Sequence, residues 1–174
     1  MSAITNTPTN KNFLSSLNLR FLIKRSPEIS WFLQEATIPE IILPAVDTPS
    51  PFVRIPYGGD HITFEPLTIT FKVDEDLKNY LAIHNWLKGL GKPENFQQYA
   101  DINAKAPITG EGKYCDVSIE ILSNNKMPNM TVTFMDAFPT QLTGLKFDVK
   151  QTDITYLEAT ATFRYTVYDI ANSS

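Results

Sequence analysis

The residues able to do acid–base, nucleophilic or metal chemistry are few in this chain and stand apart. Asp74-Glu75-Asp76 is the densest group of carboxylates. General acid–base work needs such groups poised at a reacting atom, but these three open a helical pattern, where Asp74 can cap and the others offset the helix dipole. His84 has no Cys, Asp or Glu at ligand spacing, no motif surrounds His61, and no serine sits in a nucleophile elbow. Cys115 is the sole cysteine, which excludes an internal disulfide, and it falls on the apolar side of a strand pattern, where a thiol is buried and inert. Gly110-Glu111-Gly112-Lys113 lacks the spacing that cradles phosphates. The expectation is a protein that is not an enzyme, with no catalytic, cofactor-binding or metal-binding residues.

Charge and hydropathy narrow the class further. Fifteen Lys and Arg against nineteen Asp and Glu give a net charge of −4, and the basic residues are scattered where nucleic-acid binding would need them clustered. Lys24-Arg25, the nearest approach to a patch, reads as a solvated turn at a strand end. The longest apolar runs, such as Ile41-Ile42-Leu43, fall far short of the roughly 20 residues that span a bilayer, and Met1 to Ile4 begin no apolar leader segment. Hydrophobic residues at 43% and a length of 174 residues are expected to make one ordered domain with one core.

The elements that would position any site are mostly strands. Residues 1–12, rich in Ser, Thr, Asn and Pro, are expected to form a flexible arm, residues 13–171 the domain and 172–174 a disordered tail. Leu17, Leu19, Phe21 and Ile23 alternate with polar residues as a strand does, and Trp31–Ile38 reads as a second strand. Prolines at 39, 44, 49, 51 and 56 make residues 39–61 a long extended loop, too apolar for a linker and in need of a partner surface. Residues 62–73 read as one strand kinked at Pro66. Leu77, Tyr80, Leu81, His84 and Leu87 recur at helical spacing over about 74–90, with Gly89, Gly91 and Pro93 ending the helix. Trp86, with Tyr80 and Ile83, gives the helix a second aromatic side, either core or a contact for a neighbouring subunit, with core the preferred reading. Residues 92–113 read as a connection holding at most a turn of helix.

The C-terminal third carries the clearest strand signal. Cys115–Ile121 and Met130–Phe134 alternate around the turn Asn124–Pro128, which predicts a hairpin. Leu145, Phe147 and Val149 predict a short strand after Pro139. Leu157 to Val167 predicts one long last strand, its second face formed by Thr160, Thr162, Arg164 and Thr166. Such a small polar face suits a channel lining or an ordinary wet sheet face, and periodicity does not choose between them.

Several pieces in this order resemble the tail-tube proteins of contractile-tailed bacteriophages and the related baseplate tube proteins. They are Gln34–Pro39, Tyr57-Gly58-Gly59-Asp60, Phe64–Asp76, Asn79-Tyr80, Asn85-Trp86-Leu87, Phe134–Thr140 and Ala161–Tyr165. The resemblance implies a mainly β (α+β) fold, two packed antiparallel sheets forming a β-sandwich or barrel with one flanking helix. It implies a structural virion protein made in the host bacterial cytoplasm, six copies of which close into rings that stack into a tube for DNA ejection inside a contractile sheath. The partners it implies are the chain itself, the tail sheath, and the baseplate tube-initiator and tail-terminator proteins. DNA and a tape-measure protein would pass through the lumen without specific binding.

By its position, the Pro-rich loop would make the inter-subunit or inter-ring contacts, through Pro49, Phe52, Val53, Arg54, Ile55, Tyr57, Gly58 and Gly59. The face of Thr160, Thr162, Arg164 and Thr166 would be the lumen or polar sheet face. The major tube subunit is the preferred role, because initiators resembling this chain carry an added domain. Tube initiator or injection-system inner tube is the alternative, and a monomeric β-sandwich binding module, with Phe52 and Tyr57 as aromatic anchors, the more distant one.

Overall fold

The computed structural model describes residues 11–91, 96–109, 112–150 and 154–173. The expected N-terminal arm therefore lies, but for residues 11 and 12, outside the described residues. The chain runs β1 (Leu19–Ile23), α1 (Pro27–Phe32), β2 (Leu33–Thr37), β3 (Ile41–Ile42), β4 (Ala45–Thr48), β5 (Ile55–Gly58), β6 (Thr63–Phe64), β7 (Leu67–Lys72) and α2 (Lys78–Gly91). It continues through α3 (Gln97–Thr109), β8 (Cys115–Leu122), β9 (Pro128–Leu142), β10 (Glu158–Arg164) and β11 (Val167–Asn172).

Two antiparallel sheets share one long strand. The first half of β9 pairs with β8 and β11, and β8 pairs with β1; the second half pairs with β10, which leads to β7 and β2. Between the halves, Asp136 adopts φ 55° and the β8–β9 register breaks between Cys115 and Val117. A left-handed residue in a strand bends it, and here the bend folds the sheet over on itself. The expected two packed sheets are thus one seven-stranded sheet turned at a corner. Both halves send alternate residues into one core: Phe21, Val117, Ile119, Val132 and Phe134 from the first, Leu67, Ile69, Phe71, Ala159, Ala161 and Phe163 from the second.

The helices close this core. In α2 the buried face is Asn79, Ile83, Trp86 and Gly89, so Trp86 is core as expected, its ring 6.1 Å from that of Phe163. Leu81 and His84, expected on the inner face, are exposed. The helix also starts later than the predicted 74. Leu77 takes φ 58° in a turn whose N–H bonds Asp74 O. The fully buried Asn79 then ties strand to helix, donating to Lys72 O at 2.8 Å and accepting from the Asp74 and Tyr80 N–H groups. Tertiary burial outbids the acidic N-cap signal at this junction.

Other expectations are corrected in the same way. Trp31–Ile38 is not one strand, since Pro27 starts a short helix, as proline favours at a first turn, and only Leu33–Thr37 is extended. The single flanking helix becomes three, with α3 crossing the expected connection. Pro66 separates β6 from β7 instead of kinking one strand. β9 continues past Pro139, the predicted long last strand divides around Tyr165–Thr166, and Leu145–Val149 forms no strand and has no ladder partner among the described residues. Arg25 is no solvated turn residue: its guanidinium lies 4.6 Å over the Trp86 ring and donates to Gly112 O at 2.7 Å. At the C-terminus Asn172 pairs with Met130 and the Ser173 N–H bonds Asn129 O.

Candidate assembly surfaces

The Pro-rich segment is a built arm. The predicted loop of 39–61 contains an antiparallel ribbon, β4 on β5 from Ala45↔Gly58 to Thr48↔Ile55, standing on a two-residue neck, β3 on β6. At the neck the Glu65 N–H bonds Glu40 O and the Gly59 N–H bonds Pro44 O at 2.7 Å. A Cβ at Gly59 would lie 2.6 Å from that oxygen, so the glycine is what lets the two chains approach. From Glu40 to Gly58 only Ser50 is even half-buried. Ile41, Ile42, Leu43, Val46, Phe52, Val53, Ile55 and Tyr57 are all exposed, Phe52 at the tip by 98%. Of the predicted contact residues, Pro49, Phe52, Val53 and Arg54 form the tip, Ile55, Tyr57 and Gly58 lie in β5, and Gly59 is in the neck.

The arm's roots are held by tyrosines to which sequence reasoning gave no such role. The Tyr165 hydroxyl donates to Glu65 O at 2.7 Å and that of Tyr168 to Pro39 O at 3.1 Å. Burial first, then the neighbouring Tyr168 and Glu65, push the Tyr165 pKa up to about 12, so this donor stays protonated. A polar tip on an aromatic body was the one signal available in sequence.

Three of the four residues predicted for the polar face share one side of β10. Thr160, Thr162 and Arg164 lie on the outward side of β10, beside Thr70 and Thr68 of β7 and Gln141 of β9, and the hydroxyls of Thr70 and Thr160 are 3.2 Å apart, within hydrogen-bond distance. Its charges balance, with Glu158 opposite Lys72, Glu35 of β2 opposite Thr70, and Arg164 at the far end. Thr166 is not on this face; it sits in the bend before β11, its N–H bonded to Met135 O. The outward face of the other sheet is more acidic, with Asp116, Glu120 and Asp169 against Arg20, which pairs with Glu120 at 3.3 Å.

The domain has two unlike ends. The arm leaves where Thr37, Leu67 and Phe163 end their strands. At the opposite end of those strands Phe32, Val73, Leu77, Phe147, Tyr156 and Leu157 line a groove of about 620 Å³ with Asp74 and Glu75 on it. Among the described residues no cluster of His, Cys, Asp or Glu could hold a metal. Lys113, near the sequence expected to fail as a phosphate loop, lies over the Tyr99 and Tyr114 rings, and its carbonyl accepts from the Trp86 indole N–H at 3.1 Å.

A β domain that sends a long apolar ribbon into solvent and leaves its β2 and β11 edges without a further strand among the described residues has the build of an assembly subunit. The chain belongs to the phage tail tube protein family, whose model matches residues 3–171. It is 28% identical over 141 residues to the tail tube terminator protein of Enterobacteria phage T4, covering 79% of this chain and 75% of that one. Its fold is also that of the tube-terminating cap of the anti-feeding prophage, with TM-score 0.65, 13% identity and coverage of 99% and 100% of the two chains. A chain of the sheath–tube complex of an extracellular contractile injection system, PVC, gives TM-score 0.64, 12% identity and coverage of 97% and 100%. The family and these neighbours are structural tube and cap proteins.

Proposed function

We propose that this chain forms a ring, of six copies, in the tube of a contractile phage tail, and that its ring terminates the tube. The observation that carries the assembly reading is the arm. Apolar surface this extensive is covered by a partner in a working protein, and the neck holds it out from the body. Placement at the tube's end is supported by the 28% identity to the phage T4 tail tube terminator. This replaces the preference for major subunit drawn from chain length alone.

The role of repeating subunit is the second reading, favoured by the unlike ends. A ring with an arm on one side and an apolar, acidic groove on the other is suited to head-to-tail stacking. In either role the threonine face of β7 and β10 lines the channel: small, nearly neutral side chains let DNA pass without holding it. The sheath, the neighbouring tube rings and the other tail-end proteins are the partners in this reading, and the phage tail is where it acts.

Negative-stain microscopy of the purified full chain separates the readings. Termination predicts discrete rings that bind the ends of preformed tubes and halt their growth. Repetition predicts tubes from this protein alone. A monomer at high concentration that neither binds tubes nor occurs in particles overturns both and returns the binding-module reading.

A further inference from the structure

The arm meets the body over a small area, and that area is unusually well specified. Among the described residues β3 and β6 pair only with each other, as do β4 and β5. A two-residue ladder at the neck is too short to fix the direction of a ribbon. What fixes it is an aromatic joint. The Phe64 ring, which belongs to the arm's root, lies 6.1 Å from Tyr165 and 5.6 Å from Tyr168. Both tyrosines lean on the fully buried Phe134, at 5.0 and 5.4 Å, and on each other at 6.0 Å. Their hydroxyls then take the carbonyls of Pro39 and Glu65, where the chain leaves the sheets and where it returns.

We propose that Tyr165 and Tyr168 are the positioning residues of the arm, holding its root in one direction relative to the core. Two rigid rings seated on a core phenylalanine restrain the root sideways, and two hydrogen bonds on opposite chains of the neck restrain its rotation. Tyr168 also belongs to β11, whose outer edge carries no strand among the described residues. A neighbouring subunit laid along β11 would therefore bear on the residue that holds Pro39. Ring contact and arm direction share one element. This consequence for assembly rests on the tube reading; the joint itself does not.

Hydrogen exchange on the full chain tests it, using Tyr165→Phe, Tyr168→Phe and the double variant, which keep the rings and remove the hydroxyls. The expected result is that amides of residues 40–48 and 55–65 exchange about tenfold faster in the double variant and by intermediate amounts in each single one, while β7–β10 and β8–β9 amides keep their wild-type rates. Arm amides that exchange freely already in the wild type, or that are unmoved in the single and double variants, overturn the proposal. So does an equal acceleration of arm and sheets, which would mark the hydroxyls as contributors to global stability only. If the double variant fails to fold, the single variants decide by the same comparison. Added to tubes, a folded double variant should form rings that bind tube ends at least tenfold less well. Wild-type rings that ignore tubes would sink the terminator reading and leave the exchange result standing.

Discussion

Asp136 occupies a left-handed backbone position, φ 55°, at the corner of β9, and its N–H is bonded to Asp116 Oδ1 at 3.2 Å. Asp tolerates that region better than branched residues do. Asp136→Val should cost about 1–3 kcal/mol, seen as a lower melting temperature, and Asp136→Gly should stay within about 1 kcal/mol of wild type. Gly59→Ala acts more locally, because its Cβ would fall against Pro44 O. The expected outcome is faster hydrogen exchange in β4 and β5, with little change in global melting. For Tyr165 the folded pKa, about 12, lies above the ordinary value of 10. Its contribution is therefore fully present below pH 10 and is lost as pH rises toward 12. An alkaline titration should loosen the arm over that window, an effect absent in Tyr165→Phe. By contrast, the exposed Asp76–Lys78 pair at 2.7 Å, which lowers the Asp76 pKa and raises that of Lys78, should matter little to stability.

At the scale of elements, what was legible followed burial. β7 and β10 alternate strictly between core and outside, β8 does so as far as Glu120, and the sequence shows that alternation directly. The Leu145–Val149 alternation is just as regular, yet Phe147 and Val149 stand exposed with no ladder among the described residues. Pattern alone supplies no pairing partner. In α2 two apolar sides competed, and the one holding the larger ring, Trp86, won the core. The arm was legible as a long apolar Pro-rich segment, but not as a ribbon, because its cross-strand pairs form around prolines that argue against a strand. Deleting residues 49–54 and rejoining the ribbon should leave melting within a few degrees of wild type and abolish the joining of rings to tubes, read by electron microscopy. A collapse of the core on this deletion would contradict the arm's independence.

At the scale of the whole molecule, the threonine face of β7 and β10 is the surface proposed to line a channel. Thr70 and Thr162 face outward near the middle of the threonine face. Changing both to lysine should leave folding and ring formation intact, while DNA ejection slows or fails because cationic side chains hold the phosphate backbone. Unchanged infectivity would place the face elsewhere than the lumen. The tube family and the β class were determined by the sequence itself, since local alternation and the order of short motifs are written in the chain. Tertiary structure alone decided that β9 turns a corner at Asp136, that Tyr165 and Tyr168 close on Glu65 and Pro39, and that arm and groove stand at opposite ends of the same strands. The two tyrosine closures depend on contacts between residues a hundred or more apart in sequence, Tyr165 with Glu65 and Tyr168 with Pro39, and no local pattern encodes which distant carbonyl a hydroxyl will find.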